Sequence, residues 1–441
     1  MTRYTARRTP RNLAGSGWYE ILPPPGPARE LDRDITADWV IVGAGFAGLA
    51  AARRLAQLRG GDRIVVLDAQ RIAWGSAGRN TGFMIDLPHE LNSDSYAGAR
   101  EEDLRQIKLN RAAIEFTRQT VAEFGLNAYF SPCGKYHGAA DRAGVKALDA
   151  FARHLDTLGE PYTHLDAEGM RAATGTGFYA GGIHTPGAAL VQPAGYIRGL
   201  ADSLRGRVEI YENSPAVRID TGTERAVHTP RGRVSAGNII LTVNGHLESF
   251  GLYERRLMHV YTFASMTRPL TAAERERLGG APEWGLIPAD PMGSTVRRTA
   301  DDRIVVRNTF TYNPGMETSR RQVARIGRVH DRSFAARFPM LEGVEMAYRW
   351  GGQLCLSLNS APAFGEIEDG LYSACCQNGL GTVKGTLAGM LAADLATGSN
   401  NPLLADMLAY PQPSKLYPEP LMTLGARAKL WWMHRRAGRD L

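Results

Sequence analysis

The chain has 441 residues, of which 44% are hydrophobic and 22% charged. That length suits two or three domains with a large buried core and excludes disordered, collagen-like and disulfide-stapled mini-protein classes. The net charge of +7 is concentrated at the ends: Arg3, Arg7, Arg8 and Arg11 at one, Arg427, Lys429, Arg435, Arg436 and Arg439 at the other, so the body is close to neutral. A nucleic-acid channel would place its cations in the body of the fold. The basic tails therefore read as solvated ends, and no nucleic-acid partner is expected.

In chain order, residues 1–36 are rich in Arg, Pro and Gly and read as an N-terminal arm, with ordered structure starting at Asp38. Asp38-Trp-Val-Ile-Val-Gly is an apolar, β-branched strand. Phe46 to Leu58 has helical spacing through Leu49, Ala52, Leu55 and Leu58, and Arg63 to Leu67 is a second buried strand. This βαβ unit suits a parallel sheet covered on both faces. An amphipathic helix follows over about 99–125. Strands are predicted at 207–220 and 233–243, and broken strands over 257–310 with a helix near 272–278. Helices follow at about 318–337 and 380–397. The tail from 411 is Pro-rich, then basic and aromatic; its tryptophans, Trp431 and Trp432, are expected to dock on the body. No apolar run is long enough to span a bilayer, and no secretory leader is visible. Cys133, Cys355, Cys375 and Cys376 form neither a disulfide framework nor a metal site. Reduced thiols and a cytoplasmic location are the simplest expectation.

The strongest motif is Gly43-Ala44-Gly45-Phe46-Ala47-Gly48. Gly43 permits a tight turn, Gly45 lets backbone approach a pyrophosphate, and Gly48 lets the helix pack on the strand. The opening amides and the helix dipole favour a diphosphate. Asp68 ends the second strand, with Ala69 after it, where a carboxylate accepts hydrogen bonds from a ribose. Trp74 to Gly82, with Gly75, Ser76, Gly78, Arg79 and Asn80, is a polar Gly-rich loop able to wrap a diphosphate. Gly379, Leu380, Gly381 and Thr382 open the last apolar helix, whose N-terminus would stabilise negative charge on a bound ring.

Together these segments resemble the FAD-dependent amine and amino-acid oxidases, a group that includes D-amino-acid oxidase, glycine oxidase, sarcosine oxidase and γ-glutamylputrescine oxidase. The Gly-Arg-Asn form of the loop is closest to the γ-glutamylputrescine and pipecolate oxidase branch. The resemblance covers about 37–398. It implies a mixed α/β fold: a Rossmann-like FAD-binding domain (37–95, 181–250 and 345–410), interrupted by a substrate domain on an antiparallel sheet with helices (96–180 and 251–344), and a tail (411–441). It also implies non-covalent FAD, with Val217 meeting adenine through its main chain and Asn244 beside the dinucleotide. The chemistry it implies is hydride transfer from a CH–NH group to the flavin, giving an imine, with O2 as acceptor. A dehydrogenase using a quinone or protein acceptor is the alternative; a tRNA-modifying or non-catalytic flavoprotein is more remote.

The substrate side departs from the family. The Arg and Lys that hold a carboxylate in sarcosine oxidase fall on Met84 and Val383, with Lys384 adjacent to the second. The following loop offers Asp86, His89 and Glu90, and an acid there would suit a second amino group on the substrate. His259 and Tyr261 alternate along one strand face and are expected to point into one cavity. Arg297, Arg298, Arg307 and Tyr312 are further candidates. The spacing around Cys355 does not match a flavin-linking pattern.

Overall fold

Two helices from opposite ends of the chain lie against each other at backbone distance. The helix Phe46–Leu58 follows the strand Ile35–Val42, and the helix Val383–Thr397 follows the strand Leu371–Cys375. A Cβ placed on Gly389 would sit 1.9 Å from the carbonyl oxygen of Ala47, and one on Gly48 would sit 1.8 Å from that of Gly43. Only glycine allows these approaches. Nearly every side chain from Val383 to Asp394 is buried. The pair is closed electrostatically by Arg54, whose Nε donates to fully buried Asp394 at 2.7 Å.

A computed structural model describes residues 2–88 and 98–441. Its first sheet has a parallel centre: Glu209–Tyr211, Ile64–Leu67, Ile35–Val42, Arg233–Leu241 and Leu371–Cys375 lie side by side. These strands are apolar on both faces because helices cover one side and an antiparallel extension the other. The extension runs through Ala226–His228 and Arg218–Asp220 to Arg3–Thr5. A second, eight-stranded sheet is mostly antiparallel, in the order Met346–Leu356, Met258–Thr267, Ile304–Tyr312, Thr295–Arg298, Trp284–Pro288, Lys135–Ala139, Gly181–Thr185, Thr163–Asp166. The fold is thus mixed α/β. The strands Gly181–Thr185 and Met346–Leu356, expected with the cofactor part, pair in this second sheet instead.

The N-terminal arm is built into the structure. Arg3–Thr5 pairs with Arg218–Asp220, Ser16 caps the short helix Gly17–Glu20, and Trp18 is fully buried. Periodicity could not show this, since a three-residue strand and a one-turn helix are stabilised by distant contacts. The tail also differs from expectation: Leu421–Ala437 is a helix, and Trp431 and Trp432 are exposed.

Gly389→Ala is expected to separate the two helices and lower stability by about 1–3 kcal/mol, the usual cost of overpacking. Urea unfolding checks the first effect. Visible absorbance of the purified protein should also fall, because Ala47 lines the cavity described next.

Candidate active site

Both helices begin on the same cavity. Its walls include Gly43–Ala47 from the first helix and Gly379–Thr382 from the second, with Leu67–Gln70 and Asn244 between them. The turns are set by backbone conformation. Gly43 has φ +106° and Gly379 φ +85°, in the region that glycine adopts without cost. The first N–H groups of each helix lack intrahelical acceptors, so the cavity receives two sets of donors and the positive ends of two dipoles.

Asp68 ends its strand against the first turn. Its carboxylate accepts from the Ala44 amide at 2.8 Å and the Gln70 amide at 2.9 Å. Burial nevertheless pushes its pKa up to about 6, against the pull of those amides. Ala69, Gly75, Ser76, Arg79 and Asn80 also line the cavity. Arg79 spends its guanidinium on carbonyls, donating to Trp74 at 2.8 Å, to Gly351 at 3.1 Å and to Ala14. Desolvation lowers its pKa to about 10. Asn80 donates to the Ala77 carbonyl and accepts from the Gly82 amide. Both residues therefore shape the loop, and Arg79 ties it to the arm and to the strand Met346–Leu356.

Three of the predicted cofactor residues do not line the cavity. Gly48 and Gly78 are packing positions; a Cβ on Gly78 would meet the Ala73 carbonyl at 2.0 Å. Val217 has its main chain committed: its amide donates to His228 and its carbonyl accepts from Ala6, both at 2.8 Å. Pro215 and Ala216 take its place on the wall.

None of the predicted catalytic side chains lines the cavity either. Asp86 is buried, with Oδ2 accepting from Arg111 at 3.2 Å. His259 is buried with its Nε2 2.8 Å from Glu248 Oε2. Tyr261 donates to the Met316 carbonyl at 2.7 Å, and burial pushes its pKa up to about 12. Neither His259 nor Tyr261 reaches the cavity; Thr262, Phe263 and Ala264 line it, at a register shift between Thr262 and Phe263 that interrupts the alternation. Lys384 lies in the first turn of the helix Val383–Thr397, off the cavity. Met84 and Val383 are fully buried. His89 and Glu90 lie outside the described residues. Arg297 and Arg298 are buried and donate to carbonyls of Thr81 and Val191, and of Gly279 and Ala281. Tyr312 donates to Glu419.

The side chains that do complete the cavity come from the second sheet, the arm, the strand Phe83–Met84 and neighbouring loops. Thr262, Thr295, Arg307 and Gln353 supply polar groups, and Phe83, Ile85, Ile287, Phe310, Met316 and Leu354 supply apolar surface. The Arg307 guanidinium lies 5.3 Å from the centre of the Phe310 ring. Arg8, Arg11 and Asn12 line the far end with His246, whose pKa burial lowers to about 4. Of these, only Arg307 was a sequence candidate. The arginines of the arm were visible only as an excess of charge.

The residues present fit an FAD. A Cβ at Gly75 or Gly381 would meet nothing within 4 Å, so a ligand can approach the main chain closely there. Two buried side-chain atoms on the wall, Gln353 Nε2 and Gln377 Oε1, have no hydrogen-bond partner in the protein. Such atoms are costly unless a ligand or water satisfies them.

Several known proteins share this architecture. Gamma-glutamylputrescine oxidoreductase of Escherichia coli is 27% identical over 380 residues, covering 84% of this chain and 86% of that protein. Glycine oxidase from Geobacillus kaustophilus superposes with a TM-score of 0.71 at 18% identity, covering 87% of this chain and 100% of that one. L-Amino acid deaminase from Proteus myxofaciens superposes with a TM-score of 0.68 at 18% identity, covering 91% and 97%. The family model for FAD dependent oxidoreductases (DAO) matches residues 38–395, most of the chain, and this protein belongs to that FAD-dependent oxidoreductase family.

Proposed function

We propose that the chain oxidises the CH–NH group of an amine or amino acid that carries an anionic group, with O2 as the electron acceptor. The observation that carries this reading is Arg307. It lines the same cavity as the two helix starts. Among the described residues lining the cavity, Asp68 is the one carboxylate, and it belongs to the dinucleotide end. An anionic substrate group therefore meets Arg307, whereas a second amino group has no acid to meet there. Gamma-glutamylputrescine, after which the Escherichia coli relative is named, is an amine that bears a carboxylate with an α-amino group beside it, so its second amino group comes with its own anionic neighbour.

FAD, when bound, supplies a two-electron acceptor for the hydride of the C–H bond beside the amine nitrogen, leaving an imine that water hydrolyses. The chain's own part is positioning and desolvation. Arg307 and Thr295 hold the anionic end. Phe83, Ile85, Ile287, Phe310 and Met316 exclude water around the amine, which favours its neutral form. The amides at Gly379–Thr382 present a partial positive charge of about half a unit to negative charge developing nearby. At the other end, Gly43–Ala47 hold the diphosphate, and Asp68 accepts from the adenosine ribose. Cys355 lines the cavity, with its neighbour Cys376 and burial raising its pKa. A protonated thiol is a poor nucleophile, in keeping with non-covalent FAD.

Anaerobic bleaching of the flavin against a panel of amines tests the reading. Amines with a carboxylate should bleach it and release peroxide in air, and a panel without any bleaching amine would overturn it. Arg307→Gln should lower kcat/KM for such substrates through loss of a charge-assisted hydrogen bond worth about 1.5–3 kcal/mol, while sparing amines that lack the carboxylate.

The pH dependence of FAD affinity follows from Asp68. The free site has a pKa of about 6, and a ribose donating to the carboxylate stabilises the ionised form. Binding then releases a proton, so affinity should be full above pH 6 and fall as pH drops below it. Titration of the apoprotein with FAD across that range measures this, and Asp68→Asn should weaken binding and flatten the profile. Acid precipitation should leave the flavin in the supernatant; flavin retained in the pellet would point to Cys355.

A further inference from the structure

The helix Leu421–Ala437 has two faces with different fates. Its inner face is packed: Leu430, Met433 and Ala437 meet Val260, Met292 and Phe310, and Met422 meets Tyr312 and Leu416. Its outer face carries Leu421, Leu424, Trp431 and Trp432 at 63%, 62%, 60% and 54% exposure, beside Tyr417 at 68%. Of the eight large hydrophobic residues exposed among the described residues, these are five. Scattered exposed hydrophobics need no explanation, but a contiguous patch marks an interaction surface.

The spacing makes the patch a stripe. At about 100° per residue, positions 421, 424, 428, 431, 432 and 435 share one side of the helix. Cations border it: Arg427 on one edge, Lys429 and Arg436 on the other. Arg435 lies 4.8 Å above the Trp431 ring and Arg436 5.3 Å above that of Trp432. No acid occurs between Leu421 and Arg439.

We propose that this face docks flat on a membrane surface containing anionic lipid, with the tryptophans and leucines at the headgroup level and the arginines against phosphates. Tryptophan has one apolar side and one N–H donor and concentrates at that depth. A surface-held helix whose exposed side is apolar and bordered by cations can lie in the interface plane without crossing it, and no helix of the described residues is long and apolar enough to cross a membrane. Charge decides against a second copy of the chain. A two-fold interface would set this cationic border against itself, and the cores of protein interfaces are depleted in charge. The docked helix also backs the cavity wall, since the Phe310 amide donates to His434 Nε2 at 3.0 Å. The assignment stands independently of the substrate reading.

Flotation of the FAD-loaded protein with vesicles tests it. The protein should float with phosphatidylcholine vesicles containing phosphatidylglycerol and stay behind with pure phosphatidylcholine. Binding should weaken in about 1 M salt, where the Debye length falls to about 3 Å. Trp431→Ala/Trp432→Ala should reduce partitioning at least about tenfold by removing most of the inserted apolar area. Flavin content, circular dichroism and turnover of a soluble substrate should stay unchanged. Failure to float with anionic vesicles, or equal flotation of the double variant, would overturn the proposal. So would a concentration-dependent dimer that the double variant abolishes, which assigns the face to a second copy.

Discussion

The contact between Gly389 and the Ala47 carbonyl fixes the rest of the molecule. It brings together two helix starts more than 300 residues apart in sequence, and it does so because neither side chain intervenes. With both N-termini on one cavity, their unpaired amides become one electropositive cradle. The second sheet then needs only to close the other side. Its strands Met258–Thr267 and Ile304–Tyr312 do this, and side chains of both line the cavity.

The loop between Trp74 and Gly82 transmits that arrangement. Arg79 looks like a ligand-binding cation in sequence, yet its guanidinium is used on three main-chain carbonyls from three separate segments. Trp350 returns the connection by donating to the Arg79 carbonyl at 2.9 Å. A buried arginine is tolerable when its donors are matched by acceptors, and the result is a rigid seam joining arm, loop and second sheet. The arm is thereby drawn to the cavity, where Arg8 and Arg11 stand. Charge that looked like a solvated tail lies where an anionic dinucleotide would pass.

Much of the cofactor side was legible because its determinants are local. A glycine at the turn, a glycine at the helix–strand contact and an acid at the end of the next strand are each required within one βαβ unit. The substrate side was not legible, for a different reason. Alternation in a strand identifies two faces but not which one meets the cavity. For His259 and Tyr261 that was decided by Glu248 and the Met316 carbonyl, neither of which has any fixed spacing to the strand. Asp86 was likewise claimed by Arg111, 25 residues away. The backbone groups of Val217 pair with the arm and with His228, which is invisible without knowing that the arm forms a strand.

The last helix shows how a single element can face two demands. Its inner residues must match a fixed wall, and His434 fills that requirement by accepting from the Phe310 amide. Desolvation there lowers the His434 pKa, which keeps the imidazole neutral and so able to accept. The outer residues are free of that wall, and there the chain places tryptophans and arginines rather than the mixed acids and bases of an ordinary solvated helix. Holding four large apolar groups of one helix in water is unfavourable. The helix is held by its inner contacts and by an ion pair from Arg436 at the stripe's edge to Asp290 at 3.7 Å, so folding does not require the outer face to be apolar. An apolar outer face bordered by arginines is what the proposed membrane surface would select.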